Sequence, residues 1–271
     1  MKGKERLDTM LVERNLFTSR EKAQAAIMAG LVMVNGVRAD KAGQKFAKDV
    51  QIEKIGEAIP YVSRGGLKLE RALAHFNIDP EEKTCMDVGA STGGFTDCLL
   101  QHGAKKVYAV DVGYGQLDWK LRNDSRVVVM ERTNIRYLQP DSVEDPIELA
   151  VVDVSFISLK KVLPVVAKLL LPEGELVCLI KPQFEVGREL VGKKGVVKDP
   201  KIHADTLISL ADFFSNQSIA FLGLTYSPIT GPEGNIEFLV YLRSSEDMGM
   251  SPQEATDLIN HAVNEGHLKL R

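Results

Sequence analysis

The chain has few cysteines, no long apolar run, no histidine cluster and no excess of one charge. No apolar stretch approaches the ~18 residues of a membrane-spanning helix. The opening MKGKERLDTM has no apolar core of the kind a secretory signal needs. Cys85, Cys98 and Cys178 are odd in number, widely spaced and set in apolar text, which excludes a disulfide framework or zinc knuckle. They read as free buried thiols in a reducing, cytoplasmic setting. The five histidines form no HxxxH or HxH pattern, so no metal is expected. Internal repeats and low-complexity tracts are absent as well. A net charge of −3 argues against a general polyanion binder.

What is present fits an ordinary globular chain of 271 residues, 44% apolar and 26% charged, long enough for one medium domain and one small one. The charge is uneven. Residues 1–60 hold 11 Lys+Arg against 8 Asp+Glu, a net of +3, which leaves −6 on the remaining 211. A basic module on a mildly acidic body is the reading.

In that module Leu7, Met10, Leu11 and Leu16 fit a first short helix. Ser19 suits an N-cap for a second, with Ala23, Ala26 and Ile27 as its apolar face and Gly30 as its C-cap. Leu31–Val34 reads as a strand, Asn35-Gly36 is a strong hairpin signal, Val37 pairs back, and Val50–Glu53 adds a further strand. Arg6-Leu7-Asp8, Ser19-Arg20, Ala23, Ile27, Gly30 and Val32–Gly36, in that order over about 55 residues, resemble the alpha-L RNA-binding domain of a small-subunit ribosomal protein. The resemblance implies contact with folded RNA through basic side chains. The candidates are Lys4, Arg6, Arg14, Arg20, Lys22, Arg38 and Lys41, acting on phosphates with little sequence readout. For any one of them a solvated charged face is the plain alternative.

The Gly/Pro-rich stretch 54–67 marks a boundary, giving expected units of 1–59 and 68–271 with a linker at 60–67. A helix follows through Leu69, Leu73 and Phe76. From Thr84 the chain alternates short apolar strands with helices, the α/β signature. Strands are expected at 85–88, 106–110, 127–130, 149–152, 176–180, 219–224 and 236–242, and helices at 96–102, 159–170, 202–214 and 252–265. The last two strands are joined by TYSPITGPEGN, too short for a crossover helix, so they should pair antiparallel.

The first of these strands ends in Asp87-Val88-Gly89-Ala90-Ser91-Thr92-Gly93-Gly94-Phe95. The spacing is GxxxGG, neither GxGxxG nor a P-loop. Glycines here let backbone approach a ligand at a strand's carboxyl end. Asp111 closes the next strand, where a carboxylate can take both hydroxyls of a ribose. DxGxxxGGF followed by VYAVD resembles the Rossmann-like S-adenosylmethionine-dependent methyltransferases, whose sheet has seven strands with the last antiparallel. That resemblance implies S-adenosylmethionine as cofactor, with Asp87, Gly89, Ser91, Gly93 and Phe95 around its methionine side, Asp111 at its ribose and Asn134 near its adenine.

Strand four ends Asp153-Val154-Ser155-Phe156, without the prolines that amino-methylating enzymes carry there. Strand five ends in Lys181, an unusual residue to close a buried strand. Glu237 lies between Ile236 and Phe238, and Lys68 follows SRGGL. Lys68, Asp153, Lys181 and Glu237 resemble, in order and position, the catalytic tetrad of FtsJ-type ribose 2′-O-methyltransferases. With the N-terminal module, nearly the whole chain resembles the TlyA-type hemolysin family. That family's similarity to rRNA cytidine-2′-O-methyltransferases implies ribosomal RNA or ribosomal subunits as partner, and no membrane.

A ribose hydroxyl is a poor nucleophile and needs alignment and loss of its proton. Lys181 is expected to touch it, held by Asp153 and Glu237, while Lys68 fixes the nucleotide or a phosphate. Base catalysis and pure positioning both fit Lys181. Each residue alone also fits an ordinary ion pair. Glu185 rivals Glu237 as second carboxylate. Gly187 and Gly192–Gly195 read as a flexible loop, either solvated or closing over RNA. Two readings of other classes stand beside the enzyme: a membrane-lytic hemolysin, although the 252–265 helix lacks a basic face, and an RNA-binding protein with an inactive methyltransferase fold.

Overall fold

The computed structural model describes residues 4–28, 30–39, 41–54, 59–192, 194–245 and 249–270. The chain divides into two compact units between Arg64 and Gly65, inside the 60–67 stretch, and Gly65–Leu67 are already helical.

The first unit runs β1 (Lys4–Arg6), α1 (Leu7–Glu13), α2 (Arg20–Met28), β2 (Val32–Val34), β3 (Val37–Arg38), β4 (Lys45–Ala47) and β5 (Ile52–Lys54). Ser19 Oγ accepts from the Lys22 amide at 3.3 Å, the expected cap. Asn35 and Gly36 take φ of 50° and 76°, the paired left-handed geometry of a two-residue hairpin turn between β2 and β3. β2 also pairs antiparallel with β5. Leu7, Leu11, Ala23, Ile27, Val32 and Val34 close a small core. The antiparallel pair of β1 with β4 carries the sequences KER and KFA, too short and too charged to show a strand period.

The second unit opens with α3 (Gly65–Phe76). It continues through β6 (Thr84–Val88), α4 (Gly94–Gln101), β7 (Lys106–Val110), α5 (Trp119–Arg122), β8 (Val127–Met130) and β9 (Ile147–Val152). Then come α6 (Leu163–Leu169), β10 (Leu170–Ile180), α7 (Pro182–Glu185), α8 (Pro200–Ser215), β11 (Ile219–Tyr226), β12 (Phe238–Ser244) and α9 (Pro252–Leu270). The sheet order is β11-β12-β10-β9-β6-β7-β8. The ladders from β10 through β9, β6 and β7 to β8 are parallel, and β12 runs antiparallel to both its neighbours. β12 is the last strand, as the short Gly/Pro-rich connection requires.

β6 is buried along its whole length, which is why it reads as a continuous run rather than an alternating one. The expected helix at 159–170 is instead a 3-10 turn at Leu159–Lys161 followed by α6. Pro164 lacks an N–H and starts a new helix at its first turn. Several segments differ by one or two residues at their ends, and the larger shifts are three: β12 begins at Phe238, leaving Ile236 and Glu237 before it, β10 begins six residues early, and α9 runs on to Leu270. The three cysteines are buried and unbridged, and burial pushes the Cys85 thiol up to about 12. Among the described residues no helix is long and apolar enough to cross a membrane, and no cluster of potential metal ligands occurs.

Candidate active site

The carboxyl ends of β6, β7, β8 and β9 surround a cavity of about 720 Å3, lined among others by Gly89, Ser91, Asp111, Asn134, Asp153 and Phe156. Strands in a doubly wound sheet leave such a crevice where the connections diverge to either side. Gly89 (φ 89°) lies so close to β9 that a Cβ would overlap the Asp153 carbonyl oxygen. Ser91, also left-handed at φ 48°, donates its amide to Asp111 Oδ2 at 2.8 Å, while the Gly113 amide donates to Oδ1 at 2.6 Å. Asp111 thus binds the two loops flanking the cavity and still borders it. Asn134 caps the Ile135–Tyr137 turn through a 3.2 Å bond from the Arg136 amide.

Three expected cofactor residues stand elsewhere. Gly93 backs onto Leu117 and Leu121, and Phe95 is buried on α4, so neither borders the cavity. The helix face needed those positions for its own packing. Asp87 is wholly buried beneath the loop, where Oδ2 accepts from Thr96 Oγ1 at 2.6 Å and Oδ1 has no hydrogen-bond partner. Burial pushes its carboxyl up to about 7. The Thr96 bond opposes this, and the negative charges of Asp153 and Asp111 add to it.

The four tetrad residues form two ion pairs. Lys181 Nζ lies 2.6 Å from Asp153 Oδ1 and donates to Ser155 Oγ at 2.9 Å. Lys68, in the first turns of α3, lies 2.5 Å from Glu237 Oε2. Glu237 was expected beside Lys181 and is instead taken by Lys68, because α3 packs on β12 and delivers its ammonium to the residue just before that strand. The β10–β12 register pairs Ile180 with Phe238, so Lys181 and Glu237 leave the sheet side by side at the same edge as Asp153. Gly231 presses on Glu237, where a Cβ would overlap Oε1. Glu185 is not a second partner for Lys181. Its oxygens accept from Ser158 Oγ (2.6 Å) and the Leu159 amide (2.9 Å), and burial raises its pKa.

Two features escaped the sequence reading. Phe156 is 90% exposed at φ 63°, a left-handed conformation costly for a bulky residue, with its ring 4.9 Å from that of Phe184. No sequence pattern announces such strain. Buried Asn235 accepts from the Val197 amide (3.1 Å) and donates to the Gly195 carbonyl (2.9 Å). The loop expected to be flexible is therefore clasped to the segment that carries Glu237, and Lys193 within it lies outside the described residues.

Of the expected RNA contacts in the first unit, Lys4, Arg6, Arg20, Lys22 and Lys41 are exposed. Arg14 is exposed too, but its guanidinium donates to the carbonyls of Val50 (2.8 Å) and Lys48 (2.7 Å), where it ties the unit together. The Arg38 side chain lies outside what is described.

The S4 domain family matches residues 5–52, and the FtsJ-like methyltransferase family matches residues 61–244. The YqxC protein of Bacillus subtilis is 52% identical over 99% of this chain and 96% of its own length. The 16S/23S rRNA (cytidine-2'-O)-methyltransferase TlyA of Mycobacterium tuberculosis is 42% identical over 98% of this chain and all of its own. A solved structure from Streptococcus thermophilus superposes with a TM-score of 0.78 at 45% identity, covering 99% of this chain and 98% of that one. The seven-stranded sheet with its antiparallel last strand, the Gly89 loop and these matches over nearly the whole length agree: the chain belongs to the FtsJ-like methyltransferase family and carries an N-terminal S4 domain.

Proposed function

We propose that the protein transfers a methyl group from S-adenosylmethionine to the 2′-hydroxyl of a cytidine in ribosomal RNA, working in the cytoplasm on rRNA or a ribosomal subunit. One observation carries the chemistry: the Lys181 ammonium is held behind the cavity wall by Asp153 and Ser155, which line it. An ammonium has three donors; one bonds Ser155 Oγ, and Asp153 Oδ1 stands 2.6 Å away as its counter-ion. A remaining donor suits a ribose oxygen arriving beside the cavity.

The residues present fit the cofactor. Gly89 leaves the strand end bare of side chain, and Asp111 presents a carboxylate whose oxygens each retain a lone pair after accepting one backbone N–H. Gly89 and Ser91 would border its amino-acid portion, Asp111 its ribose, and the Asn134 turn its base. When bound, it supplies an electrophilic methyl group on sulfur. Lys181 would hold the 2′-oxygen in line and stabilise the negative charge that develops on it as the hydroxyl proton leaves to solvent. Asp153 and Ser155 keep that ammonium in place. Phe156 and Phe184 offer an aromatic wall for the target base.

The test is tritiated methyl transfer to unmodified ribosomal subunits and to naked rRNA, with Lys181→Ala as control. Label at a nucleotide that resists alkaline cleavage, absent with the variant, is the expected result. No label on any of these substrates overturns the reading in favour of an RNA-binding protein with an inactive fold.

A further inference from the structure

Asp8 is fully buried, yet its carboxylate is surrounded by donors from three elements. Arg6 at the end of β1 donates Nε to Oδ1 (3.0 Å) and Nη2 to Oδ2 (2.8 Å). From α2, Arg20 Nη2 (3.1 Å) and Gln24 Nε2 (2.7 Å) both reach Oδ2. The Thr9 amide donates to Oδ1 at 2.9 Å. The Arg6 bonds come first in holding this carboxyl well below the usual range, with Gln24 and Arg20 adding to them against the opposing effect of burial.

The two arginines are not buried with it. Their side chains remain 44% and 51% exposed. Each guanidinium has five N–H donors. Asp8 engages two on Arg6 and one on Arg20, which leaves the rest of both forks for a ligand. Two cations share one buried anion, and Glu21, next to Arg20 in the first turn of α2, bonds Ser19 and feels the Arg20 charge from outside the cluster. Glu5, the neighbouring carboxylate on β1, lies on the opposite side of the strand and is paired with Lys48 at 3.2 Å. Gly43 completes the arrangement, because a Cβ there would stand only 3.3 Å from Arg6 Nη1. The Arg6 fork lies against bare backbone.

We infer that Arg6 and Arg20 form a preassembled clamp for one phosphate of folded RNA, and that Asp8 is its positioning residue, with Gly43 giving Arg6 the room to lie flat. This rests on the proposed rRNA substrate. Without a buried anion two guanidiniums at this spacing would repel and spread into solvent, and ordering them on RNA would cost side-chain entropy. Asp8 meets that cost in the free protein. The arginine forks match phosphate bidentately, which lysines in the same places would not.

Charge counting and positioning predict opposite signs for Asp8→Asn. Removing a negative charge should tighten RNA binding and steepen its salt dependence if only net charge matters. Loss of the clamp instead weakens binding roughly tenfold and flattens the slope of log K against log salt by about one. The experiment is titration of the full chain with unmodified rRNA transcripts at several salt concentrations, for the wild type, Asp8→Asn, the Arg6→Lys/Arg20→Lys pair and the Arg6→Ala/Arg20→Ala pair. The double lysine variant keeps every charge and removes only the forks, so it decides the matter if Asp8→Asn fails to fold. Weakened binding in Asp8→Asn and in the double lysine variant, with a flatter slope in Asp8→Asn, is expected. Binding as tight as wild type in folded Asp8→Asn, or in the double lysine variant, overturns the clamp while leaving the rRNA reading intact. A wild type that binds no rRNA overturns both.

Discussion

Lys68 Nζ and Glu237 Oε2 are 2.5 Å apart in a fully enclosed setting, although 169 residues separate them along the chain. Burying a charge is costly unless its partner stays in place. Lys68→Met alone, or Glu237→Leu alone, should cost on the order of 3–5 kcal/mol in urea unfolding. The double variant should recover most of that loss, since an apolar pair can replace a buried ion pair. Methyl transfer should remain lost in all three. Recovery of activity in the double variant would reduce the pair to a structural strut.

Lys181 is a different case because its pair is only partly enclosed. Lys181→Ala should lower kcat by roughly two to three orders of magnitude, the usual range for removing a group that stabilises developing charge. Calorimetry with S-adenosylmethionine should give an unchanged Kd, as Lys181 does not border the cavity.

Gly89 and Gly36 both have positive φ, but their surroundings differ. A Cβ at Gly36 meets nothing, so Gly36→Ala should cost about 1 kcal/mol from backbone strain alone. A Cβ at Gly89 collides with the Asp153 backbone. Gly89→Ala should therefore cost several times as much and abolish cofactor binding. Thermal melting with and without S-adenosylmethionine checks both.

Asp87 makes stability depend on pH in an unusual direction. Its folded pKa of about 7 is far above that of an unfolded aspartate, so the folded protein holds a proton that the unfolded chain has lost. Between about pH 4 and pH 7 the native state binds more protons, and stability falls as pH rises. The penalty is complete above pH 7 and is on the order of a few kcal/mol. Asp87→Asn should raise Tm at pH 8 more than at pH 5, and the slope between those values should flatten.

Phe156 carries a strained backbone on the cavity rim with its ring in solvent. Phe156→Gly should relax the backbone and raise stability by about 1 kcal/mol. The same change should raise the KM for RNA. A variant that is both more stable and equally active would mean that the ring serves nothing.

The central strands of the second unit were legible because parallel strands buried on both faces leave continuous apolar runs, and Lys106–Val110 has the limits its sequence suggests. Edge strand Val127–Met130 also has its expected limits, from its β-branched run alone. β1 and β4 were not legible, since three-residue charged strands leave no period to read. At the site, sequence order brought four charged residues to attention and set Asp153 beside Lys181, but it gave Glu237 to Lys181 rather than to Lys68. Which ammonium meets which carboxylate is settled by the packing of α3 on β12, a contact between segments with no local relation. Arg14 shows the same limit. Its text matches that of an RNA-facing cation, while Val50 and Lys48 supply carbonyls that no spacing rule foretells.

β12, the last strand along the chain, lies between β10 and β11 rather than at an edge. During synthesis, the half of the sheet made earlier must wait with an unfilled slot. Glu237 is laid down immediately before the strand that fills it, so Lys68 has no counter-ion until some 170 further residues have been joined. Pairing over such a span closes a long loop and is slow compared with helix formation. A nascent chain thus has its S4 unit complete long before Glu237 can meet Lys68. Termination between Arg64 and β12 would release a complete S4 unit joined to a sheet that lacks its central antiparallel strand.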